Sequence, residues 1–394
     1  MCHQQHTGRK VGLGTANIKA KYHMKSLSFI MTICLIFPMN VKGQEKHFNY
    51  IFRQGQDGYA VFRIPAIIKA KNGTLLAFAE GRKNSGSDTG DIDLVMKSST
   101  NDGKTWSPLK VVWDDGDNVC GNPAPVVEQE SGIVYLLLTW NLGSDHERDI
   151  IDQKSKDTRR VFITQSDDHG NSWTKPKEIT SSTKKDDWTW YATGPVHGIQ
   201  LSKNEQYKGR MVIPCDHIEA ETRHYYSHVI YSDDKGKTWQ LGGSTPQHQV
   251  NECSIAELDN GDLLLNMRNY DRDSKTRRTA LSTDGGITWS DLKNDTALIE
   301  PICQGSLLGN DQKGSKTLYF SNPASEKSRE NMTLKYSDDD GVSWSKAFVV
   351  HRGPSAYSDI VRVSKHTIGI LYEGGIKSPY EGISIEIVEL SALK

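Results

Sequence analysis

Cysteine is scarce here, six in 394 residues, and none stands in a CxxC pair, so the chain lacks the spacing of a zinc site or a redox dithiol. Proline is also scarce, at 13, and no low-complexity linker interrupts the chain, which argues against a string of separate domains. No charge of one sign dominates: 48 Lys plus Arg face 49 Asp plus Glu, a formal net charge of −1. That balance removes the general electrostatic case for nucleic acid or a membrane surface as partner. No long amphipathic helix can be traced. The longest apolar run, LSFIMTICLIFPM after Lys25, is too short to cross a bilayer, so no membrane-spanning segment is expected in the mature chain.

A basic start at Lys25, that short apolar core and a small or polar exit to Gln44 have the order of a secretory signal, with Met24 as its natural first residue. Residues 1–44 are therefore expected to be leader, and 45–394 one folded domain. Export places the mature protein in the periplasm or outside the cell in a bacterium, and in the lysosome or secreted in a eukaryote. Cys2 and Cys34 fall in the leader. For Cys120, Cys215, Cys253 and Cys303, export permits disulfides, but sequence chooses no pairing and four buried thiols fit as well.

What the sequence does have is a repeat. SDDKGKTW at 232–239 recurs as STNDGKTW at 99–106, SDDHGNSW at 166–173, STDGGITW at 282–289 and SDDDGVSW at 337–344. The frame is Ser, any, Asp, any, Gly, any, Ser or Thr, Trp. Its spacing exceeds a helical solenoid repeat and suits one four-stranded propeller blade. The Asp can accept backbone N–H bonds just ahead of it, the Gly can take a positive φ, and the Trp can bury its ring beneath the turn. At 99–106 the Asp is replaced by Asn101, which can still accept one such bond. A calcium loop would need several oxygen ligands at alternate positions and a closing Glu, which no copy supplies; the frames are expected to be scaffold. Between them run short β-type stretches such as FRIPAII, TLLAFAEGR and LLLNMRN. Five marked blades and the stretch after Gly353, closed by an N-terminal strand, give an all-β, six-bladed β-propeller.

Charged residues inside or beside apolar runs break this pattern: Arg63 in FRIP, Glu252 in NECSIAEL, Arg268 after LLLNM, Arg329 before NMTLKY and Glu373 after ILY. An unpaired charge is costly there. Each Arg could be scaffold, paired with one of these carboxylates. Three Arg at the mouths of different blades instead suggest a convergent pocket, because guanidinium groups grip a planar carboxylate through forked bonds.

FRIP at 62–65 with the repeated frames resembles the exo-sialidase (neuraminidase) family and its Asp boxes, from about residue 50 onward. AEGRKNSGSD, GNPAPV, ATGPVHGIQL, NECSIAEL, NMRN and SRENMTLKYS are similar to the animal lysosomal sialidase and secreted bacterial sialidases. The resemblance implies five Asp-box turns, a retaining exo-α-sialidase acting on sialylated glycans, and neither cofactor nor metal in the reaction. It makes Arg63, Arg268 and Arg329 the triad for the sialic acid carboxylate, Tyr357 the nucleophile, Glu252 its base partner and Asp88 the acid/base. Glu373 holds the first Arg, and Arg82, Asn122 and the segment 190–194 line the pocket. Asp91 and Asp93 compete with Asp88, and Arg352 and Arg362 with Arg329. His197, in GPVHG, is expected to be a backbone-bound turn residue. A transferase or an anhydro-forming variant uses the same residues, and a non-catalytic glycan-binding propeller is the reading from another class.

Overall fold

A computed structural model describes Lys19 and residues 48–393 other than Arg272, Asp311 and Ser345. Apart from Lys19, the expected leader, with Met24, Cys2 and Cys34, lies outside the described residues. The described chain is all-β. Its helical elements are the short Glu147–Ile151 and Thr180–Thr183 and a 3-10 turn at Leu390–Leu393. No described helix is long and apolar enough to cross a membrane.

The strands form four hydrogen-bonded sheets. The first runs Val61–Lys69, Leu75–Arg82, Ile92–Ser99, then Val119–Val127, Val134–Asn141, Arg160–Ser166 and Lys177–Glu178, with Lys110–Trp113 paired to Ile92–Ser99. Its two halves are joined within the sheet by one parallel pairing, Ile92 opposite Val119. The second holds Trp188–Thr193, Met211–Glu219, Tyr225–Ser232 and Gln240–Ser244, with Ile199–Gln200 also on Met211–Glu219. The third is Val250–Glu257, Leu263–Asn269, Thr276–Ser282 and Lys293–Ile299. The fourth runs from Ser306–Gly309 through Leu318–Pro323, Glu330–Ser337, Lys346–Arg362, Thr367–Gly374 and Gly382–Glu389, and ends on Tyr50–Arg53. An N-terminal strand thus pairs with the last one, Tyr50 opposite Ser384.

Strands near the sequence start of each run pack on one another in a circuit. Val61–Lys69 touches Val119–Val127, which touches Ile199–Gln200; that pair of residues touches Val250–Glu257, which touches Ser306–Gly309. Ser306–Gly309 touches Lys346–Arg362, which returns to Val61–Lys69. Such strands are covered on both faces, which suits continuous apolar runs over alternation. Leu75–Arg82 is buried at every position, so Glu80 and Arg82 at its end must find partners.

All five frames close on one hydrogen-bond pattern. At 232–239, Ser232 Oγ donates to Asp234 Oδ1 (2.9 Å) and accepts from Gly236 N, while Asp234 accepts from Thr238 N (2.9 Å) and Thr238 Oγ1 (2.6 Å). Gly236 has φ 84°, and a Cβ there would also lie 2.3 Å from the Tyr135 ring, so conformation and packing both require glycine. At 99–106 the turn survives: Asn101 Oδ1 accepts from Thr105 N at 3.0 Å. The side-chain bond reverses, because an amide nitrogen donates where a carboxylate accepts: Asn101 Nδ2 donates to Thr105 Oγ1. Trp239 and Trp289 are buried, and Trp106, Trp173 and Trp344 pack half-buried against neighbouring cores. The four described cysteines are buried free thiols.

Two polar stretches, 154–160 and 181–187, are more than plain loops between strands. Thr180–Thr183 is a helical turn, and Arg159 is 3% exposed. Its guanidinium is drawn inward by four oxygen acceptors, described below.

Candidate active site

Arg63, Glu252, Arg268 and Arg329, charges that break the sequence pattern, converge on one pocket although they lie on or beside strands of three different sheets. Arg63, Arg82, Asp88, Asn122, Glu252, Arg268, Arg329 and Tyr357 all line it.

Arg63 sits where Val61–Lys69 slips register before Ala66, beside Ile64 at φ 59°, a conformation strained for a β-branched residue. Glu373, fully buried, holds this corner. Its Oε1 accepts from Arg63 Nε (2.6 Å) and Ile64 N (2.9 Å), and its Oε2 from Tyr357 N (3.1 Å). One carboxylate therefore fixes both an arginine and the backbone of the tyrosine.

Tyr357 is the centre. Its hydroxyl donates to Glu252 Oε1 (2.5 Å) and accepts from Arg268 Nη1 (3.0 Å), which also reaches Glu252 Oε2 (2.5 Å). The guanidinium carbons of Arg63 and Arg329 lie 5.2 and 5.5 Å from the Tyr357 ring centre. Arg329 is anchored by Tyr380 Oη (3.0 Å) and the Ile302 carbonyl (3.3 Å). Burial, and then the charge of Glu252, push the Tyr357 hydroxyl well above the usual phenol range; Arg268 and Arg329 pull the other way without winning. The resting phenol is therefore protonated, with a base already in contact.

Asp88 lies on the loop after Leu75–Arg82, 61% exposed at its side chain and 2.6 Å from Arg82 Nη2. Burial works to raise its pKa, but Arg82, Arg63 and Arg159 outweigh it and hold the carboxyl below its ordinary value. Of its competitors, Asp93 is turned to Tyr59 Oη (2.6 Å) and Lys83, and Asp91 to Lys83; neither lines the pocket. Arg352 is exposed and Arg362 lines a different cavity, leaving Arg329 as the third arginine beside Tyr357, with Arg63 and Arg268.

Arg82 donates through Nε and Nη2 to Glu80 Oε2, and Glu80 Oε1 accepts from Asn122 N. Asn122 Oδ1 accepts from Thr139 Oγ1 and from Arg159. Arg159 also reaches Tyr191 O (2.8 Å), Asn141 Oδ1 (2.7 Å) and Thr139 Oγ1 (2.9 Å), and its guanidinium lies 3.9 Å from the Trp190 ring centre. Along Trp188–Thr193, Trp190 and Ala192 line the pocket while Tyr191 is buried in the core, the period-2 alternation of a strand.

Sequence reasoning missed Arg159, Glu147, Asp216, Asn251 and Tyr270, all of which line the pocket. Arg159 and Asp216 carried the signal that found Arg63, a charge against an apolar run, in TRRVF and VIPCDHI. His197 differs from the expected backbone-bound residue: its Nδ1 pairs with Asp359 Oδ1 at 2.7 Å, away from this pocket. The buried Asp359 draws the ring in while it also accepts from Ile67 N and Ser306 Oγ.

Residues 73–371 match the family model described as a BNR repeat-like domain. The chain is 32% identical to a sialidase of Bacteroides fragilis, covering 82% of this chain and 61% of that one. It is 32% identical to an exo-alpha-sialidase of Aspergillus fumigatus (80% of this chain, 79% of the relative) and 29% identical to human Sialidase-3 (86% and 91%). Among solved structures, the Hadza microbial sialidase Hz136 superposes with a TM-score of 0.79 at 28% identity, over 88% of this chain and 69% of that one. The chain spans about three fifths of the length of the B. fragilis relative and about four fifths of the fungal one. A repeat model over most of the chain and relatives above 30% identity agree: the chain belongs to the sialidase family.

Proposed function

We propose that this protein is a retaining exo-α-sialidase that removes terminal sialic acid from glycoproteins, glycolipids and oligosaccharides through a covalent sialyl-tyrosine intermediate. The observation that carries the reading is the contact of Tyr357 Oη with Glu252 Oε1 and Arg268 Nη1, inside a ring of three arginines.

Sialidases with a tyrosine nucleophile depart from the two-carboxylate scheme of most glycosidases. The charge of the substrate explains the departure. Its anomeric carbon bears a carboxylate, which repels an anionic nucleophile but not a neutral phenol. In the first step Tyr357 Oη bonds to the anomeric carbon as Glu252 takes its proton; the glycosidic C–O bond breaks and the departing oxygen takes a proton from Asp88. In the second, Asp88 takes a proton from water, the water oxygen bonds to the anomeric carbon, and Tyr357 leaves with the proton held by Glu252. Two inversions give retention. Arg63, Arg268 and Arg329 hold the substrate carboxylate throughout, and Glu373 keeps Arg63 in place. Arg82 and Asn122 line the pocket, and neither cofactor nor metal is called for.

The same reading takes residues 45–394 as one six-bladed β-propeller catalytic domain with five Asp-box turns. Dividing the first sheet at its parallel Ile92–Val119 pairing and the fourth within Lys346–Arg362 leaves, with the other two sheets, six antiparallel groups, five of four strands and one of five, in support of six blades. Export of the mature protein rests on the signal-like order of residues 25–44.

Incubation with 3′-sialyllactose, followed by NMR, tests the function. Free sialic acid, released first as the α-anomer, is the expected product. Transfer to lactose or an anhydro sugar would replace hydrolysis by the alternative outcome, and unchanged substrate across α2,3-, α2,6- and α2,8-linked sialosides would refute the reading. Arg268→Lys is expected to raise KM on these substrates about tenfold or more, since a point charge cannot reproduce the forked bond. Unchanged kcat and KM would remove Arg268 from the triad.

A further inference from the structure

The strands that build the active site meet a second cavity at their far ends. Val61–Lys69 carries Arg63 to the active site and Lys69 to this cavity, Val250–Glu257 carries Glu252 and Glu257, and Lys346–Arg362 carries Tyr357 and Arg362. About five or six residues of strand separate each pair, which sets the two cavities roughly 15–20 Å apart. They share no lining residue. Between them on Lys346–Arg362, Ser358 and Asp359 are fully buried: the Ser358 backbone exchanges hydrogen bonds with the Gln304 amide (2.9 Å each), and Asp359 holds His197 and Ser306 (both 2.7 Å). A polar plug therefore stands between the second cavity and the reaction.

The cavity holds about 300 Å³, enough for a small molecule. Ile67, Val127, Ile199, Leu308 and Val361 give it aliphatic walls, and three cations line it, Lys69, Lys203 and Arg362. Their charges are not met by carboxylates. Lys203 is 7% exposed, yet its Nζ donates to the Glu257 backbone carbonyl (3.1 Å), and Lys69 Nζ donates to the carbonyl of Val363. Arg362 Nη2 is buried without a hydrogen-bond partner among the described residues. Glu257, the acid among the lining residues, is engaged elsewhere: its carboxylate accepts from the backbone nitrogens of Ser202, Lys203 and Asn204 (2.8–3.1 Å). Cations withdrawn from water without a bonded counter-charge are costly, and an anion in the cavity would offset that cost.

We propose that this cavity is a second ligand site, separate from the active site, for a small organic carboxylate with an apolar body. The carboxylate meets the open guanidinium edge of Arg362 and the two ammonium groups, while the body lies against the aliphatic walls. Sialic acid does not suit it, because its hydroxyls would lose their hydration against those walls. The proposal stands whether or not the sialidase reading does, since no residue of the proposed reaction takes part.

The test titrates the whole protein with 4-(trifluoromethyl)benzoate, followed by fluorine NMR. Saturable binding with a Kd of about 1 mM or below is expected, unchanged when a 2,3-didehydro sialic acid analogue is added to occupy the active site. The uncharged 4-(trifluoromethyl)benzyl alcohol should bind about tenfold or more weakly. Lys69→Gln and Arg362→Gln should each weaken the benzoate about tenfold or more, because each removes a charge-assisted bond, while the melting temperature and turnover of sialyllactose stay as in the wild type. If Lys69→Gln does not fold, Lys203→Gln is read in its place. Absence of saturable binding, equal binding of the alcohol, or an affinity unchanged in the variants overturns the proposal. So does displacement by the sialic acid analogue, which would put the probe in the active site. Weakening in Arg362→Gln alone overturns it too, because Arg362 also borders a neighbouring cavity beside Tyr319.

Discussion

Tyr357→Phe is expected to lower kcat on every sialoside by about three orders of magnitude or more, because it deletes the atom proposed to bond to the anomeric carbon. The substitution is otherwise gentle. The ring is 94% buried by its surroundings, at 6% exposure, and phenylalanine keeps its volume and its contacts with Arg63 and Arg329. Glu252 keeps its bond to Arg268. Binding should therefore survive, and KM should move far less than kcat, the signature of an interaction made only in the transition state. Mass spectrometry after rapid quench supplies a second readout: the wild type should carry a sialyl adduct on Tyr357 and the variant none. Turnover by the variant near the wild-type rate would remove the covalent mechanism; a weak residual rate would not.

The second large effect depends on the leaving group. Asp88→Asn should reduce kcat/KM on sialyllactose by roughly 10²- to 10⁴-fold, the usual range for a lost general acid. On an aryl sialoside, whose phenolate departs without help, the loss in kcat/KM should be about tenfold or less. That parameter reports formation of the sialyl-enzyme, so the later need for a base does not enter it. The electrostatics add a pH dependence. Against the pull of burial, Arg82, Arg63 and Arg159 depress the Asp88 carboxyl in the free protein, so its protonated form is present only at low pH. Activity on sialyllactose should fall as pH rises, and more steeply than on the aryl substrate. Substrate binding moderates this, since a carboxylate delivered to the arginines offsets their charge and covers an aspartate that is 61% exposed. Equal losses on both substrates would reassign Asp88.

Much of this was legible in residues alone. The five frames are local devices: Ser232, Asp234, Gly236 and Thr238 meet one another within a single turn, so their order along the chain dictates their hydrogen bonds. The strand runs are similarly local, and FRIP with its companions marked the family. Arg159 was passed over because TRRVF follows a polar insertion, and nothing local says that Asn122, Thr139 and Asn141 wait for its guanidinium. Asp216 was passed over because an acid within one apolar run tells nothing about which cavity its strand borders. His197 looked like a turn residue because its partner, Asp359, is 162 positions away.

Sequence by itself determined the all-β architecture, the spacing of the turns, the membership suggested by FRIP and the Asp boxes, and a short set of charges in costly places. Only the tertiary structure decided how those charges are used. Glu373 binds Arg63 across 310 residues and Glu252 binds Tyr357 across 105, contacts that exist only because the strands bearing them pack in a closed circuit. The physical reason is range: turn chemistry acts over about four residues, whereas a phenol acquires a base, three arginines and a raised pKa only when distant strands exclude water around it.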